Sequence, residues 1–310
     1  MKLAPVALFV FNRPRHTRQM VDALRNNTLA GDSDVFIFAD AERTLEQAAA
    51  VNEVRDYIRT IDGFRTLTIV ERPGNLGLAK SIVDGVTQLV ERFGRVIVIE
   101  DDLVTSRHFL EFMNTALDRY EHEERVMQIA GYMFPEYLVF EEDALFLPFI
   151  SSWGWATWQR AWKHFELRPA GYESVLTDSA TRKRFDLNGN YNYSKILRAA
   201  LQGRIASWAV WWYLSVFLRN GLVLFPRRTL VRNLGFDGSG VNCVASTFAQ
   251  DELEPDFRVA VLPRRIDVSL QAEGVMRNMP RPKLSAAAVL NSLMRLIRSS
   301  PGRVNFEKPW

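Results

Sequence analysis

Three continuous apolar runs, each followed by polar residues, constrain the fold of this chain more than any other feature. The runs cover residues 6–11 (VALFVF), 35–39 (VFIFA) and 96–99 (VIVI). Because these runs lack polar alternation, strands built from them must be covered on both faces, as they are in parallel sheets. Helical patterns separate the runs, which predicts an α/β fold: an open, mostly parallel, Rossmann-like sheet with helices on both faces.

The same patterns predict the individual elements. The predicted strands are 6–11, 35–39, 67–70, 96–99 and 126–130. The predicted helices are 17–26, 44–59, 106–120 and a buried one at 205–218. A further helix is predicted to begin at the loop 75–78 and to end at residue 90. No linker interrupts residues 1–254, so we expect one domain there, with halves 1–135 and 136–254. Residues 255–310 form a separate extension.

Charge divides the chain at the same place. The whole chain has a net charge of +3, whereas the extension 255–310 holds ten basic and four acidic residues. A basic extension favours an anionic partner or none. Its segment 284–298 has apolar residues at helical spacing, which predicts a helix on a membrane surface or docked on its own domain. The single cysteine, Cys243, excludes an intrachain disulfide and fits a cytoplasmic protein, and the start of the chain does not have the pattern of a secretion signal.

Polar residues follow the predicted parallel strands. Asn12 and Arg13 follow the first strand, Asp40 follows the second, and the acidic tripeptide 100–102 (Glu-Asp-Asp) follows the run at 96–99. Ligands of open α/β sheets bind beyond the carboxyl ends of the strands. The sequence therefore predicts a binding site at this edge.

Two interpretations of the acidic tripeptide remain open from the residues alone. Adjacent buried carboxylates require a cation or raised pKa values, and Mg²⁺ or Mn²⁺ takes carboxylate and phosphate oxygens. Alternatively, the acids cap the N-terminus of a helix. The chain has neither a Walker-type phosphate loop nor a Gly-x-Gly-x-x-Gly motif after its first strand, which argues against P-loop and dinucleotide-binding proteins.

A strand-helix array with acids after its fourth strand resembles the GT-A nucleotide-sugar glycosyltransferases. Residues 96–120 (VIVIEDDLVTSRHFLEFMNTALDRY) are similar to the Glu-Asp-Asp stretch of the N-acetylglucosaminyltransferase I group. Residues 11–13 (FNR) and Asp40 match its nucleotide-holding positions, and 151–162 (SSWGWATWQRAW) resembles its acceptor-side Gly-Trp segment. More closely still, residues 5–243 resemble bacterial family-2-type transferases of surface-polysaccharide assembly.

The resemblance implies a metal-dependent, inverting transfer of sugar from a nucleotide-sugar donor, with a UDP-sugar favoured, to a glycan or glycolipid. The residues it assigns to the donor are Asn12, Arg13, Asp40, Gly77, Lys80, Glu100 and Asp101, with Asp102 as ligand of Mn²⁺ or Mg²⁺. Trp153, Gly154 and Trp208 are expected on the acceptor side. Arg13 and Lys80 would lie near the phosphates, and Asp40 would accept from the base.

The sequence departs from these relatives where a catalytic base is expected. Ala206 stands where an acid is usual, and Asn242 stands where histidine is common. Three explanations compete: Ala206 is an inactivating substitution, another acid such as Asp237 is the base, or the chain binds nucleotide sugar with impaired turnover. The first is slightly favoured, because the surrounding motif is intact.

Other features lead to weaker expectations. Trp155, Trp158 and Trp162 have helical spacing and are expected in the core, and the four histidines lie on separate elements and are expected at the surface.

The alternative enzyme class is a nucleotidyltransferase on a similar sheet. Nucleic acid is not expected as a partner, because no aromatic residue lies between Arg264 and Arg303. A lipid-linked acceptor would place the protein peripherally on the inner face of the cytoplasmic membrane.

Overall fold

The structure is a computed structural model that describes residues 3–134, 142–237, 250, 252–268 and 274–276. Asn242, Cys243 and the predicted helix at 284–298 lie outside the described residues. Most of the basic extension 255–310 also lies outside them.

An eight-stranded sheet forms the centre of the molecule. Its strands are β1 (Val6–Val10), β2 (Asp34–Ala39), β3 (Thr66–Glu71), β4 (Arg95–Glu100), β6 (Val126–Ala130), β7 (Ala144–Leu147), β8 (Trp155–Trp158) and β9 (Leu222–Pro226), in the order β3-β2-β1-β4-β8-β6-β9-β7. Six strands run in one direction, while β8 and β7 run against their neighbours. A two-stranded antiparallel sheet joins β5 (Leu103–Thr105) to β10 (Val231–Asn233).

Helices connect the strands and cover both faces of the sheet. They are α1 (Pro14–Arg25), α2 (Ala48–Ile58), α3 (Leu78–Phe93), α4 (Phe109–Arg119), α5 (Gln159–Trp162), α6 (Tyr172–Thr177), α7 (Ser179–Phe185), α8 (Tyr193–Leu201) and α9 (Trp208–Leu218). In the described part of the chain, no helix is both long and apolar enough to cross a bilayer.

Two hydrophobic cores, one on each face, account for the continuous apolar runs. Neighbouring residues of β1 point to opposite faces, so Phe9 belongs to one core and Leu8 to the other, and both are buried. Each core is closed by helices, with Val86 of α3 in the first and Val21 of α1 in the second. The predicted α/β, mostly parallel sheet covered on both faces is confirmed.

Several predicted boundaries and one predicted conformation are wrong. Helix α1 begins at Pro14 rather than residue 17, because proline is well tolerated in the first turn, where its missing N–H has no partner to lose. Trp155 and Trp158 lie on strand β8, not on a helix. In a strand, residues three apart face opposite sides, and these two tryptophans accordingly enter different cores. Their predicted burial is confirmed.

The first described part of the extension packs on the domain. Tyr120 donates a hydrogen bond to the carbonyl of Pro263 over 2.7 Å, and Arg125 donates to the carbonyl of Ile266 over 3.1 Å. Tyr120 is buried, and this burial raises the pKa of its hydroxyl group. Residues 263–266 therefore lie against the body of the fold beside α4.

Candidate active site

The strand order of the sheet changes direction between β1 and β4. From β1 the chain continues to β2 on one side, whereas β4 joins β1 on the other side, with Phe9 beside Glu100. The segment after β1 and the segment after β4 therefore leave the sheet side by side. Open α/β sheets bind ligands at such a position.

Arg13, which follows β1, is paired with the acids that follow β4. Its guanidinium group donates to both carboxylate oxygens of Asp101, with Nε 3.2 Å from Oδ2. Its Nη1 lies 3.1 Å from Oδ2 of Asp102. Burial alone would lower the pKa of Arg13, but the charges and hydrogen bonds of Asp101 and Asp102 raise it above its usual value. Arg13 therefore stays charged and spans both carboxylates.

One arginine does not offset three acids. Burial raises the pKa of Glu100 well above its usual value, and the charges of Asp102 and Asp101 raise it further. Burial also raises the pKa of Asp101, although Arg13 opposes this increase. Since crowded carboxylates bind a proton or a cation more readily than isolated ones, the cluster favours additional positive charge.

The donor set fits a divalent cation shared with a substrate. The carboxylate oxygens of the cluster suit Mg²⁺ or Mn²⁺, which are commonly held by one or two protein carboxylates plus substrate phosphates. Within the described residues, no group of three or more His, Cys, Asp and Glu side chains is arranged to hold a metal by itself. Metal binding by Asp102 stays a prediction.

A glycine in the segment after β10 makes room for the Asp102 carboxylate. The backbone N–H of Leu234 donates to the Asp102 carbonyl over 2.8 Å, so this segment lies on the acidic cluster. A Cβ atom at Gly235 would overlap Oδ2 of Asp102. The side chain of Asn233 accepts from the Gly235 N–H over 2.7 Å and fixes the turn.

Asp40 holds the loop that precedes α3. Its carboxylate accepts from the backbone N–H groups of Ala41, Leu76 and Gly77 at 3.0, 2.9 and 2.9 Å. Gly77 has φ of +76°, a conformation that other residues rarely adopt. The predicted contact of Asp40 with a nucleotide base stays a prediction, and a carboxylate with about four acceptor positions can accommodate it.

The remaining predicted donor residues lie at the same edge of the sheet. Asn12 is partly buried in the turn between β1 and α1. Lys80 is exposed in the first turn of α3, whose N-terminus begins at this edge. Phosphate binding by Lys80 stays a prediction.

The three predicted acceptor-side residues occupy different environments. Trp153 is partly buried and packs edge-on against Tyr132, with ring centroids 4.4 Å apart, and against Phe236, at 5.5 Å. Gly154 has φ of +59°, and its carbonyl accepts from the backbone N–H of Gly131. Trp208 is buried and stacks on Trp155 at 5.0 Å, so most of its surface belongs to the core.

Ala206 is exposed in the loop before α9. Helix α9 leads into β9, which runs parallel to β6, so the N-terminus of α9 lies at the same edge as the acidic cluster. The hydroxyl oxygen of Ser207 accepts from the Val210 N–H over 3.4 Å and caps the helix.

Asp237 pairs with a histidine for which the sequence predicted no role. Oδ2 of Asp237 lies 3.2 Å from Nε2 of His16, and the exposed fractions of the two side chains are 49% and 10%. The predicted surface position is therefore wrong for His16. A correct start for α1 could have indicated its role, because Arg13 then immediately precedes the helix and His16 lies in its first turn, close to Arg13.

Comparisons with known proteins give a match only among solved structures. No protein-family model and no curated protein matches the chain. The chain is similar to the mannosyltransferase PcManGT from Pyrobaculum calidifontis in complex with GDP-Man and Mn²⁺, with 12% identity and a TM-score of 0.37 over 63% of this chain and 64% of that one.

Two further structures have comparable similarity. Residues 1–349 of TarS from S. aureus give 10% identity and a TM-score of 0.43, over 76% of this chain and 61% of that one. GalNAc-T7 with UDP, GalNAc and Mn²⁺ gives 10% identity and a TM-score of 0.43, over 73% of this chain and 43% of that one. The matched region spans less than two thirds of each of these three chains.

Proposed function

We propose that the protein transfers a sugar from a nucleotide-sugar donor to a glycan or glycolipid acceptor, in a reaction that depends on a divalent cation. The observation that carries this proposal is the set of charges beyond the carboxyl ends of β1 and β4, where Arg13 bridges Asp101 and Asp102. A site with excess carboxylate and an adjacent arginine suits a metal-bound diphosphate, because it offers both a cation ligand and a phosphate partner.

The donor would lie across the carboxyl ends of β2, β1 and β4. The loop that Asp40 holds would contact the base, with a UDP-sugar or GDP-sugar tested first, and Asn12, Arg13 and Lys80 would contact the phosphates. Glu100 and Asp101 would contact the ribose and the sugar. A cation held by Asp102 would offset the charge that develops on the departing diphosphate.

Asp237 is proposed as the base. Its carboxylate is half exposed, and it lies on the turn that covers Asp102. In an inverting transfer, the acceptor oxygen forms a bond to the anomeric carbon while the bond from that carbon to the diphosphate oxygen breaks. The electron pair of the broken bond leaves with the diphosphate, and the hydroxyl proton moves to Asp237.

Nucleotide binding tests the donor site. We expect UDP or GDP with Mn²⁺ to raise the Tm by several degrees, since a ligand at about 100 times its Kd adds about 2.7 kcal/mol to the free energy of unfolding. Asp102→Asn should remove the part of the increase that depends on Mn²⁺. If no nucleoside diphosphate changes the Tm of the wild-type protein with or without the metal, the proposed function is wrong.

The same titration has a second arm at Gly235. Gly235→Ala would push its methyl group into Oδ2 of Asp102, so it should weaken the Mn²⁺-dependent binding as Asp102→Asn does. Gly31→Ala is the matched control, because a Cβ atom there meets nothing within 4 Å and Gly31 precedes β2, at the opposite edge of the sheet. Equal binding by the two alanine variants would contradict the role assigned to Asp102.

The basic extension is proposed to bind an anionic membrane surface, which would bring the site to a lipid-linked acceptor of polysaccharide or lipopolysaccharide assembly at the cytoplasmic face. Residues 255–310 have ten basic and four acidic side chains. Each basic residue near an anionic bilayer contributes about 1 kcal/mol. Deleting residues 284–310 should abolish sedimentation with phosphatidylglycerol vesicles, and unchanged sedimentation would exclude this role.

A further inference from the structure

A buried histidine contacts the side chain of the proposed base. His16 is in the first turn of α1 and is 8% exposed, while Asp237 lies on the short helical turn at 235–237. Their side chains meet at 3.2 Å, between Nε2 of His16 and Oδ2 of Asp237. The pair joins the segment after β1 to the segment after β10, two parts of the chain that the sheet does not connect directly.

The chemistry of the two groups fixes the direction that a hydrogen bond between them must have. An ionised carboxylate has acceptor oxygens but no donor, so a ring nitrogen within hydrogen-bond distance of it has to carry the proton. At 3.2 Å, Nε2 of His16 is within reach of Oδ2 of Asp237 and can donate to it when it carries the ring proton. A histidine that holds a carboxylate in this way fixes its orientation without the permanent positive charge that an arginine or lysine would bring.

Hydrogen bonds also restrict the segment at 233–235 that leads into the turn. Leu234 and Gly235 are hydrogen-bonded to the Asp102 carbonyl and to the Asn233 side chain. The side chain of Gln250 accepts from the backbone N–H of Asn233 and donates to the Asn233 carbonyl, at 2.8 Å each. These contacts fix the backbone at the start of the turn without His16. His16 instead contacts the side chain of Asp237, the last residue of the turn.

We infer that His16 is a positioning residue for the transfer reaction, which holds the Asp237 carboxylate in the orientation needed to accept the proton of the acceptor hydroxyl. This inference rests on the proposed function. It goes beyond it, because it assigns a role to a side chain in the first turn of α1, next to the proposed donor site. Arg13, which immediately precedes α1, and His16 in its first turn would then couple the acidic cluster and the base to the start of the same helix.

Position 16 offers variants that separate orientation from packing. His16→Ala removes the donor, whereas His16→Gln keeps an N–H donor at a similar distance from the backbone. We expect His16→Ala to lower kcat about 10-fold or more with little change in the donor KM, which is the signature of an interaction needed in the transition state. His16→Gln should restore most of the lost rate.

The control is a second histidine–carboxylate pair away from the site. His108 is partly buried, and its Nδ1 lies 3.1 Å from Oε2 of Glu111 on α4. His108→Ala should leave kcat unchanged. A purely structural role for His16 would instead lower the Tm and kcat of His16→Ala and of His16→Gln together.

A double variant completes the test. If His16 acts through Asp237, adding His16→Ala to Asp237→Asn should cause little further loss of rate, whereas independent effects would multiply. Multiplied losses, or an unchanged kcat in His16→Ala, would overturn the inference while the wild-type protein still transfers sugar. If the wild-type protein binds nucleotide but transfers sugar to no acceptor, the proposed function fails first and the inference fails with it.

Discussion

Asp237→Asn is expected to reduce the rate of sugar transfer by about 10²–10⁴-fold, which is the range that a general base contributes. The amide has nearly the shape of the carboxylate, but it cannot accept the hydroxyl proton. The loss should appear in kcat, because the donor site at Arg13 and Asp102 is unchanged. Steady-state transfer to a glycan acceptor measures the effect, and Mn²⁺-dependent nucleotide binding measured in parallel shows that the site is intact.

Two comparisons make this result specific. Asp62 lies beyond the other end of α1, where it pairs with Arg25 at 2.5 Å and is 80% exposed, so Asp62→Asn should retain full activity. Ala206 is the competing position for a base. If Asp237 is the base, Ala206→Asp should change the rate little; an increase of orders of magnitude with no effect of Asp237→Asn would assign the base to position 206 instead.

Much of the sheet could be predicted because its strands have a simple pattern. Both faces of β1 and β4 are covered, so β1 and residues 96–99 of β4 are continuously apolar, and the helices between them have the usual apolar periodicity. The pattern failed at β8. Trp155 and Trp158 are three residues apart, which fits a helix face, yet on a sheet covered on both sides the same two residues can be buried in opposite directions.

The position of the candidate-site residues at one edge of the sheet could be predicted, but their pairings could not. The rule that ligands bind beyond parallel strands is enough to select Arg13, Asp40 and the acids at 100–102. It does not indicate that Arg13 contacts Asp101 rather than a phosphate, because this contact depends on β1 and β4 being neighbours in the sheet. The position of Asp237 beside His16 depends in turn on the pairing of β10 with β5, which brings a distant segment onto the cluster.

Arg13→Met is expected to lower the free energy of unfolding by about 3–5 kcal/mol at neutral pH, the cost typical of removing one partner from a buried ion pair. The Arg13 side chain is 17% exposed and the Asp101 side chain 6%, so little solvent is available to replace the lost charge. Urea or thermal unfolding measures the loss. The matched control is Arg65→Met: Arg65 makes the same two-point contact with Asp34, but it is 54% exposed and should cost about 0–1 kcal/mol.

The dependence of this loss on pH identifies its cause. Burial already raises the pKa of Asp101 and of Glu100, so the folded state disfavours their charged forms as the pH rises above the pKa of the unfolded chain. Without Arg13, the pKa of Asp101 should rise further. The destabilisation of Arg13→Met should then be large at pH 7 and decrease as the pH falls and the carboxylates bind protons.

A second substitution should reverse part of the loss at neutral pH. Asp101→Asn removes one of the uncompensated charges, so Arg13→Met combined with Asp101→Asn should be more stable than Arg13→Met alone. A loss that is independent of pH and unaffected by Asp101→Asn would mean that Arg13 contributes through packing of its aliphatic stem. The acidic cluster would then be stable without an internal cation, and the physical argument that it favours Mn²⁺ or Mg²⁺ would lose its main support.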